Sequence, residues 1–195
     1  MLAQPSTHRT LLARLADAHD QTAWRDFHQR YAELIRGFAR RRGAQPADCD
    51  DVVQEVLMAL QKAMPGFTYD PARGTFRSYL KTIALRALDR RFRKNTAAAS
   101  LELDGDAEPT APDDEAEQAW ETEWRRYHLR LAMRAIEVEF NARERRAFEL
   151  YGVAGRPVNE VARTTGLSVE HVYAAKSRIV KRLGELVADQ VREEG

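Results

Sequence analysis

F-R-S-Y-L-K-T-I-A-L-R-A-L-D-R-R-F-R-K, from Phe76 to Lys94, is the stretch on which the fold turns. On a 3.6-residue period Phe76, Tyr79, Leu80, Ile83, Ala87, Leu88 and Phe92 fall on or near one stripe, which predicts a helix with that stripe against a core. The remaining surface carries Arg77, Lys81, Arg86, Arg90, Arg91, Arg93 and Lys94, with Asp89 the only acid. Cations beside aromatic rings suit unpaired nucleic acid, because the phosphates are neutralised and every base has a π-face to stack on. These residues alone also fit an ordinary amphipathic helix with a solvated basic face, so the flanking sequence has to separate the two.

Composition narrows the classes. At 195 residues, with 44% hydrophobic and 31% charged, the chain can hold one or two compact domains with real cores. No run approaches the roughly 20 apolar residues of a membrane span. The start M-L-A-Q-P-S-T-H-R-T lacks the apolar centre of a secretory signal, so a cytoplasmic protein without membrane insertion is expected. A single cysteine, Cys49, excludes a disulfide within a monomer, and the five scattered histidines have no metal-ligand spacing. No metal or cofactor is expected.

The net charge of +1 hides an uneven distribution. Between Asn95 and Gln118 lie Glu102, Asp104, Asp106, Glu108, Asp113, Asp114, Glu115 and Glu117, with no base among them. Alanines, Gly105, Pro109 and Pro112 give that stretch little to bury, so it reads as an extended linker. Setting aside its negative charges leaves about +9 on the flanking blocks. Two basic modules tied by an acidic tether are expected.

The flanks read as helices. Thr10 to Ala18 is a short one, and Asp20 can cap a longer one from Gln21 to Arg42, in which Trp24, Phe27, Tyr31, Leu34, Ile35 and Phe38 form a core stripe ended by Gly43 and Pro46. A third, from about Ala47 to Met64, presents Val52, Val53, Val56, Leu57, Leu60 and Met64 on its apolar face. Asp48, Asp50 and Asp51 crowd its first turn, where acids complement the helix dipole by about 0.3–1 kcal/mol each. The dipole accounts for that cluster without a catalytic carboxylate pair. After F-T-Y-D-P-A-R-G-T, a loop carrying Pro71 and Gly74, Thr75 can cap the basic helix.

The run from Asp51, D-V-V-Q-E-V-L-M-A-L-Q-K-A, and the run from Phe67, F-T-Y-D-P-A-R-G-T-F-R-S-Y-L-K-T-I-A, together resemble the second conserved region of bacterial RNA polymerase sigma factors, particularly the extracytoplasmic-function (ECF) group. In that family the D-x-x-Q-E helix docks on the clamp of the polymerase's largest subunit. The resemblance therefore implies polymerase contacts for Asp51, Gln54, Glu55 and Met58, with Asp48 on the rim. The following loop and helix capture flipped bases of the minus-ten element, which implicates Tyr69, Arg73, Thr75, Phe76, Arg77, Tyr79, Lys81, Arg86 and Arg90. Two positions depart from the family pattern: where many members carry Asn and Asp, the ungapped match places Arg86 and Arg90. Arg offers a base only donors, so the base preference does not carry over.

Beyond the tether, Ala119 to Phe140 reads as a long helix with Trp120, Trp124, Tyr127, Leu131 and Ala135 on one face and Leu129, Met133 and Ile136 spreading onto another. Asn141 and Glu144 form an N-x-x-E capping box for a helix through Phe148 and Leu150 that ends at Gly152. From Pro157 to Leu183 the pattern is that of a helix-turn-helix. Pro157 opens the first helix, Val161 packs inward, small Ala162 lets the helices cross closely, Gly166 frees the turn and Ser168 caps the second. In that second helix Val172, Ala175, Ile179 and Leu183 are the buried stripe. Glu170, His171, Tyr173, Ala174, Ser177, Arg178 and Lys181 lie opposite, where a recognition helix meets the major groove. Arg178 has the fork to read a guanine edge, whereas Lys181 and Arg182 suit phosphate, and Lys176 sits at the stripe's margin.

A helix-turn-helix alone also fits a helical hairpin in a larger bundle. Behind the first block and an acidic tether, this one resembles the fourth conserved region of sigma factors, which grips the minus-thirty-five element. The family's usual T-V-K-S-R becomes H-V-Y-A-A, from His171 to Ala175, so His171, Tyr173 and Ala174 would set this protein's own promoter choice. The resemblance also implies that the tether threads into the polymerase's RNA path, where a negative segment suits a channel built for a polyanion.

The expected fold is all-α: a region 2-like domain over 1–95, an acidic flexible linker over 96–118, and a region 4-like helix-turn-helix domain over 119–195. The expected function is promoter-specific initiation by a non-enzymatic factor, a monomer when free, with core RNA polymerase and promoter DNA as partners. An anti-sigma protein could cover the apolar faces of both modules, though no residue marks one and the sequence does not show whether one exists. Two other classes stay open: a transcriptional regulator whose N-terminal block senses a ligand or partner, and a hydrolase built on some pair of Asp50, Asp51 and Glu55. The first leaves the basic helix after D-x-x-Q-E without a role. The second lacks a nucleophile, metal ligands or a phosphate loop.

Overall fold

The computed structural model describes residues 8–65, 75–97 and 114–194. Their regular structure is entirely helical, and the chain separates into two compact units that divide between Tyr127 and His128. Among the described residues no helix is long and apolar enough to cross a membrane.

The first unit contains α1 (His8–Leu15), α2 (Gln21–Arg41), α3 (Pro46–Ala63), α4 (Phe76–Ala97) and the first half of α5 (Asp114–Glu139). Asp20 caps α2 by accepting the Ala23 amide at 2.9 Å, and Arg14 grips the same carboxylate at 2.8 and 3.0 Å, which ties α1 to the start of α2. At the other end Gly43 takes a φ of 89°, a conformation that costs glycine little, and Pro46 stands in the first turn of α3, where its missing N–H loses no bond. The two helices pack Phe27, Tyr31, Leu34, Ile35 and Phe38 against Val52, Val53, Val56 and Leu60, all buried. Helix α4 closes this core with Phe76, Leu80, Ile83, Ala87 and Leu88. The ring of Phe76 stands edge-on to Phe27 at 6.1 Å and to Tyr31 at 5.9 Å.

Helix α5 starts at Asp114 rather than near Ala119, so the last residues of the stretch read as a tether are helical. Asp114, Glu115 and Glu117 occupy its first turn, where their charge opposes the exposed amide dipoles. Helix α4 likewise runs through Asn95 to Ala97. The units part at Tyr127 and not at residue 119 because Trp120, Trp124 and Tyr127 are buried with the first unit. Trp120 meets Phe38 edge-on at 5.2 Å, and Tyr127 stacks on Tyr31 at 5.3 Å. Apolar periodicity marks such a stripe for burial without naming the surface that buries it.

The second unit holds the rest of α5, then α6 (Ala142–Ala147), a π-helical continuation Phe148–Val153, α7 (Val158–Thr165) and, as far as Arg192, α8 (Val169–Glu194). The capping box forms, with Asn141 accepting the Glu144 amide at 3.0 Å while the Glu144 carboxylate accepts from the Asn141 amide. The wider π turn brings Gly152 over Phe148, where an added Cβ would lie 2.8 Å from the ring. Gly166 ends α7 with a φ of 69°, and the Ser168 hydroxyl accepts the His171 amide at 3.3 Å to open α8. Val161 and Val172 close on Ala147 to bury the corner of the helix-turn-helix, and Ile179 packs on Ile136 and Phe148 behind it.

Candidate nucleic-acid interface

The four polar candidates on α3 divide between its two sides. Asp48 is turned inward, 8% exposed, and accepts from Arg91 of α4 at 2.7 Å, while the same guanidinium also pairs with Asp51. These bonds raise the affinity of Arg91 for its proton, Asp48 contributing most. Asp48 thus fastens α4 to α3, and Asp50 reaches Arg36 of α2 at 2.7 Å. The acids read as dipole partners are also interhelical ties. Gln54 and Met58 are exposed on the outer side of α3, Met58 by 52%, with half-buried Glu55 between them.

The minus-ten candidates separate more widely. Tyr69 and Arg73 lie outside the described residues. Thr75 caps α4, accepting the Ser78 amide at 3.2 Å, and Phe76 is 1% exposed inside the core. Tyr79 is half-buried, and burial pushes its hydroxyl above the ordinary tyrosine range. Arg77 pairs with Glu121 of α5 and lies over the Trp124 ring at 5.2 Å, and Lys81 pairs with Glu117. Arg86 and Arg90 are exposed, Arg90 lying 3.9 Å from Glu55. Together Tyr79, Arg86 and Arg90 form a basic, ring-bearing surface along α4.

On α8 the residues opposite the buried stripe reach solvent as their spacing requires. Glu170, His171, Ser177 and Lys181 are exposed, Ala174 is half-buried, and Tyr173 is 49% exposed. Ser168 is committed to the cap. Arg178 pairs with Glu144, and Arg182 holds Glu139 through two bonds of 2.7 and 2.8 Å. Glu139 is thereby kept below the usual carboxylate range, chiefly by the Arg182 hydrogen bond.

Residues 27–98 match the family model for sigma-70 region 2. Over 188 residues the chain is 27% identical to the ECF RNA polymerase sigma factor RpoE of Cereibacter sphaeroides, a match covering 94% of this chain and 92% of that protein. These matches bear out the resemblance to ECF sigma factors. Sigma factors are DNA-binding transcription initiation factors and not enzymes, and that is the class this chain resembles. A solved structure of CnrH in complex with the cytosolic domain of CnrY is 25% identical, covers 93% of this chain and 97% of its own, and has a TM-score of 0.38.

The candidate surfaces include residues that the sequence pattern did not mark. Tyr151, on the π-helical turn, holds the Tyr173 ring edge-on at 5.4 Å and sits under the Lys176 ammonium at 4.9 Å, so it orients two side chains of α8. Glu117 and Glu121 read as tether charge and helix surface, yet they cap the two leading cations of α4. Their spacing of four residues, equal to that of Arg77 and Lys81, was the available signal.

Acid should loosen this fold. Burial opposes ionisation of Glu121, but the Arg77 bond and charge, with Arg125, hold its carboxyl below the ordinary range, and Asp20 is lowered chiefly by Arg14. With Glu139 these are groups whose folded values are depressed, so their stabilisation is complete above the ordinary carboxyl values of about 4 and is lost as pH falls through the folded values. The urea midpoint is expected to hold between about pH 7 and 5 and to fall below about pH 4.

Proposed function

We propose that the chain docks on core RNA polymerase through the outer side of α3, with Asp51, Gln54, Glu55 and Met58, and directs initiation at promoters read by both units. The observation that carries this is Met58: a 52% exposed methionine one turn beyond Gln54 and Glu55, on a helix whose other large apolar residues face inward. A flexible thioether ringed by polar groups suits a protein contact better than solvent. The second unit places α8 in the major groove of the minus-thirty-five element through Glu170, His171, Tyr173, Ala174, Ser177, Arg178 and Lys181, with Arg182 toward phosphate. Arg178 and Arg182 then exchange Glu144 and Glu139 for DNA. The surface of α4 around Tyr79, Arg86 and Arg90 holds the minus-ten strand once the duplex has opened, repaying a few kcal/mol of unstacking per base by stacking and phosphate contacts. Such work belongs in the cytoplasm, where polymerase and promoter are.

Run-off transcription with purified core polymerase tests the proposal. Promoter-specific product should require the chain; duplex binding with no polymerase dependence would instead make it a conventional regulator. Gln54→Ala with Glu55→Ala should weaken polymerase capture at least about tenfold, near 1.4 kcal/mol, with the helical signal unchanged. Arg178→Ala should cost about 1–3 kcal/mol of promoter affinity and relax sequence choice. An equal loss on random duplex would make Arg178 a phosphate contact.

A further inference from the structure

The leading cations of α4 already have ligands. Arg77 and Lys81 stand one turn apart, and Glu121 and Glu117 of α5 meet them in register. Arg77 also lies over the Trp124 ring, 5.2 Å from its centre. An anion and a π-face on one guanidinium are what a nucleotide would present. The half-helix has a deeper anchor beside this front. Glu123, 3% exposed, accepts from Arg41 at 2.6 Å and Arg126 at 3.0 Å. It fits against α2 because residue 37 is glycine, where an added Cβ would lie 2.3 Å from the Glu123 carboxylate oxygen. Trp120 and Tyr127 complete the hold on Phe38 and Tyr31.

We propose that residues 114–127 are an internal competitor for single-stranded nucleic acid. The carboxylates of Glu117 and Glu121 and the ring of Trp124 occupy, on Arg77 and Lys81, the places that phosphates and a base of an opened strand take. The first unit therefore keeps part of its strand-binding surface closed until this half-helix is drawn off. Its two parts differ in strength. The Glu117 side chain is 57% exposed and that of Glu121 35%, so these pairs are screened and exchange readily, while that of Glu123 is 4% exposed and resists salt. Arg86 and Arg90 lie further along α4, exposed, where a strand can first be met. The inference rests on assigning α4 to the minus-ten strand.

The test uses the full chain carrying Trp24→Phe, so that tryptophan emission reports only Trp120 and Trp124, and a fluorescein-labelled single-stranded DNA of mixed sequence. Glu117→Gln with Glu121→Gln is expected to tighten binding about tenfold by anisotropy at low salt. Asp17→Asn with Glu33→Gln removes the same charge from two exposed acids elsewhere in the unit and should gain less than about twofold. With Arg77→Ala and Lys81→Ala already present, the glutamine pair should add nothing, and saturating DNA should shift emission of the parent chain to the red. Equal affinity of parent and glutamine pair, an equal gain from the control, unmoved emission at saturation, or no binding by either chain would each overturn the competitor. Run-off transcription keeps the two ideas apart: if the competitor fails while Arg86→Ala with Arg90→Ala still abolishes promoter opening, the assignment of α4 stands, and if that pair opens promoters normally, the assignment itself fails.

Discussion

Phe76→Ala is expected to lower the unfolding free energy of the first unit by about 3–5 kcal/mol, the usual result of emptying an aromatic site in a packed core. The ring is 1% exposed and edge-on to both Phe27 and Tyr31, so its loss leaves a cavity at the junction of α2 and α4 that neither neighbour can fill without leaving its own rotamer. Urea unfolding should show a lower midpoint with an unchanged slope, and Phe76→Leu should recover most of the loss. Arg86→Ala, at an exposed position on the same helix, should stay within about 0.5 kcal/mol of the parent and change only strand affinity. A Phe76→Ala chain with parental stability but weaker DNA binding would return that ring to the nucleic-acid surface.

Trp120→Ala should have an effect of similar size, again about 3–5 kcal/mol, and it should fall on the first unit. Trp120 is fully buried between Phe38 and Trp124, at 5.2 and 6.0 Å. Were the start of α5 only an extension of the acidic tether, the same change would leave α2 undisturbed. Amide exchange distinguishes these cases, since the loss should appear as faster exchange along α2 and α4, with α7 and α8 unaffected. Trp120→Phe should restore most of the protection.

The helices were legible because each carries its own period and its own punctuation. Asp20 before α2, the Asn141 and Glu144 box before α6, and Gly166 with Ser168 between α7 and α8 act through bonds a few residues long, and all of them form. The stripe of α4 was legible for the same reason, with Leu80, Ile83, Ala87 and Leu88 buried where a 3.6-residue repeat puts them. Partners distant in sequence were not. Asp48 and Asp51 satisfied the dipole of α3 on paper, and nothing local pointed to Arg91, some forty residues on. The start of α5 had acids enough to pass for solvated chain, because hydrophilic composition does not distinguish carboxylates facing water from carboxylates facing Arg77 and Lys81.

Sequence by itself determined an all-helical chain, the positions of its caps and turns, and the basic residues of α4 and α8, since these depend on periodicity and on interactions within a turn or two. Only the tertiary structure decided which surface each stripe covers. It gave Trp120, Trp124 and Tyr127 to the first unit, and set Glu117 and Glu121 on cations that would otherwise face solvent. A helical repeat specifies the side of a helix to be buried but carries no term for its partner. That choice is made by complementary shape and charge between segments far apart in the chain, as where Gly37 leaves room for the carboxylate of Glu123.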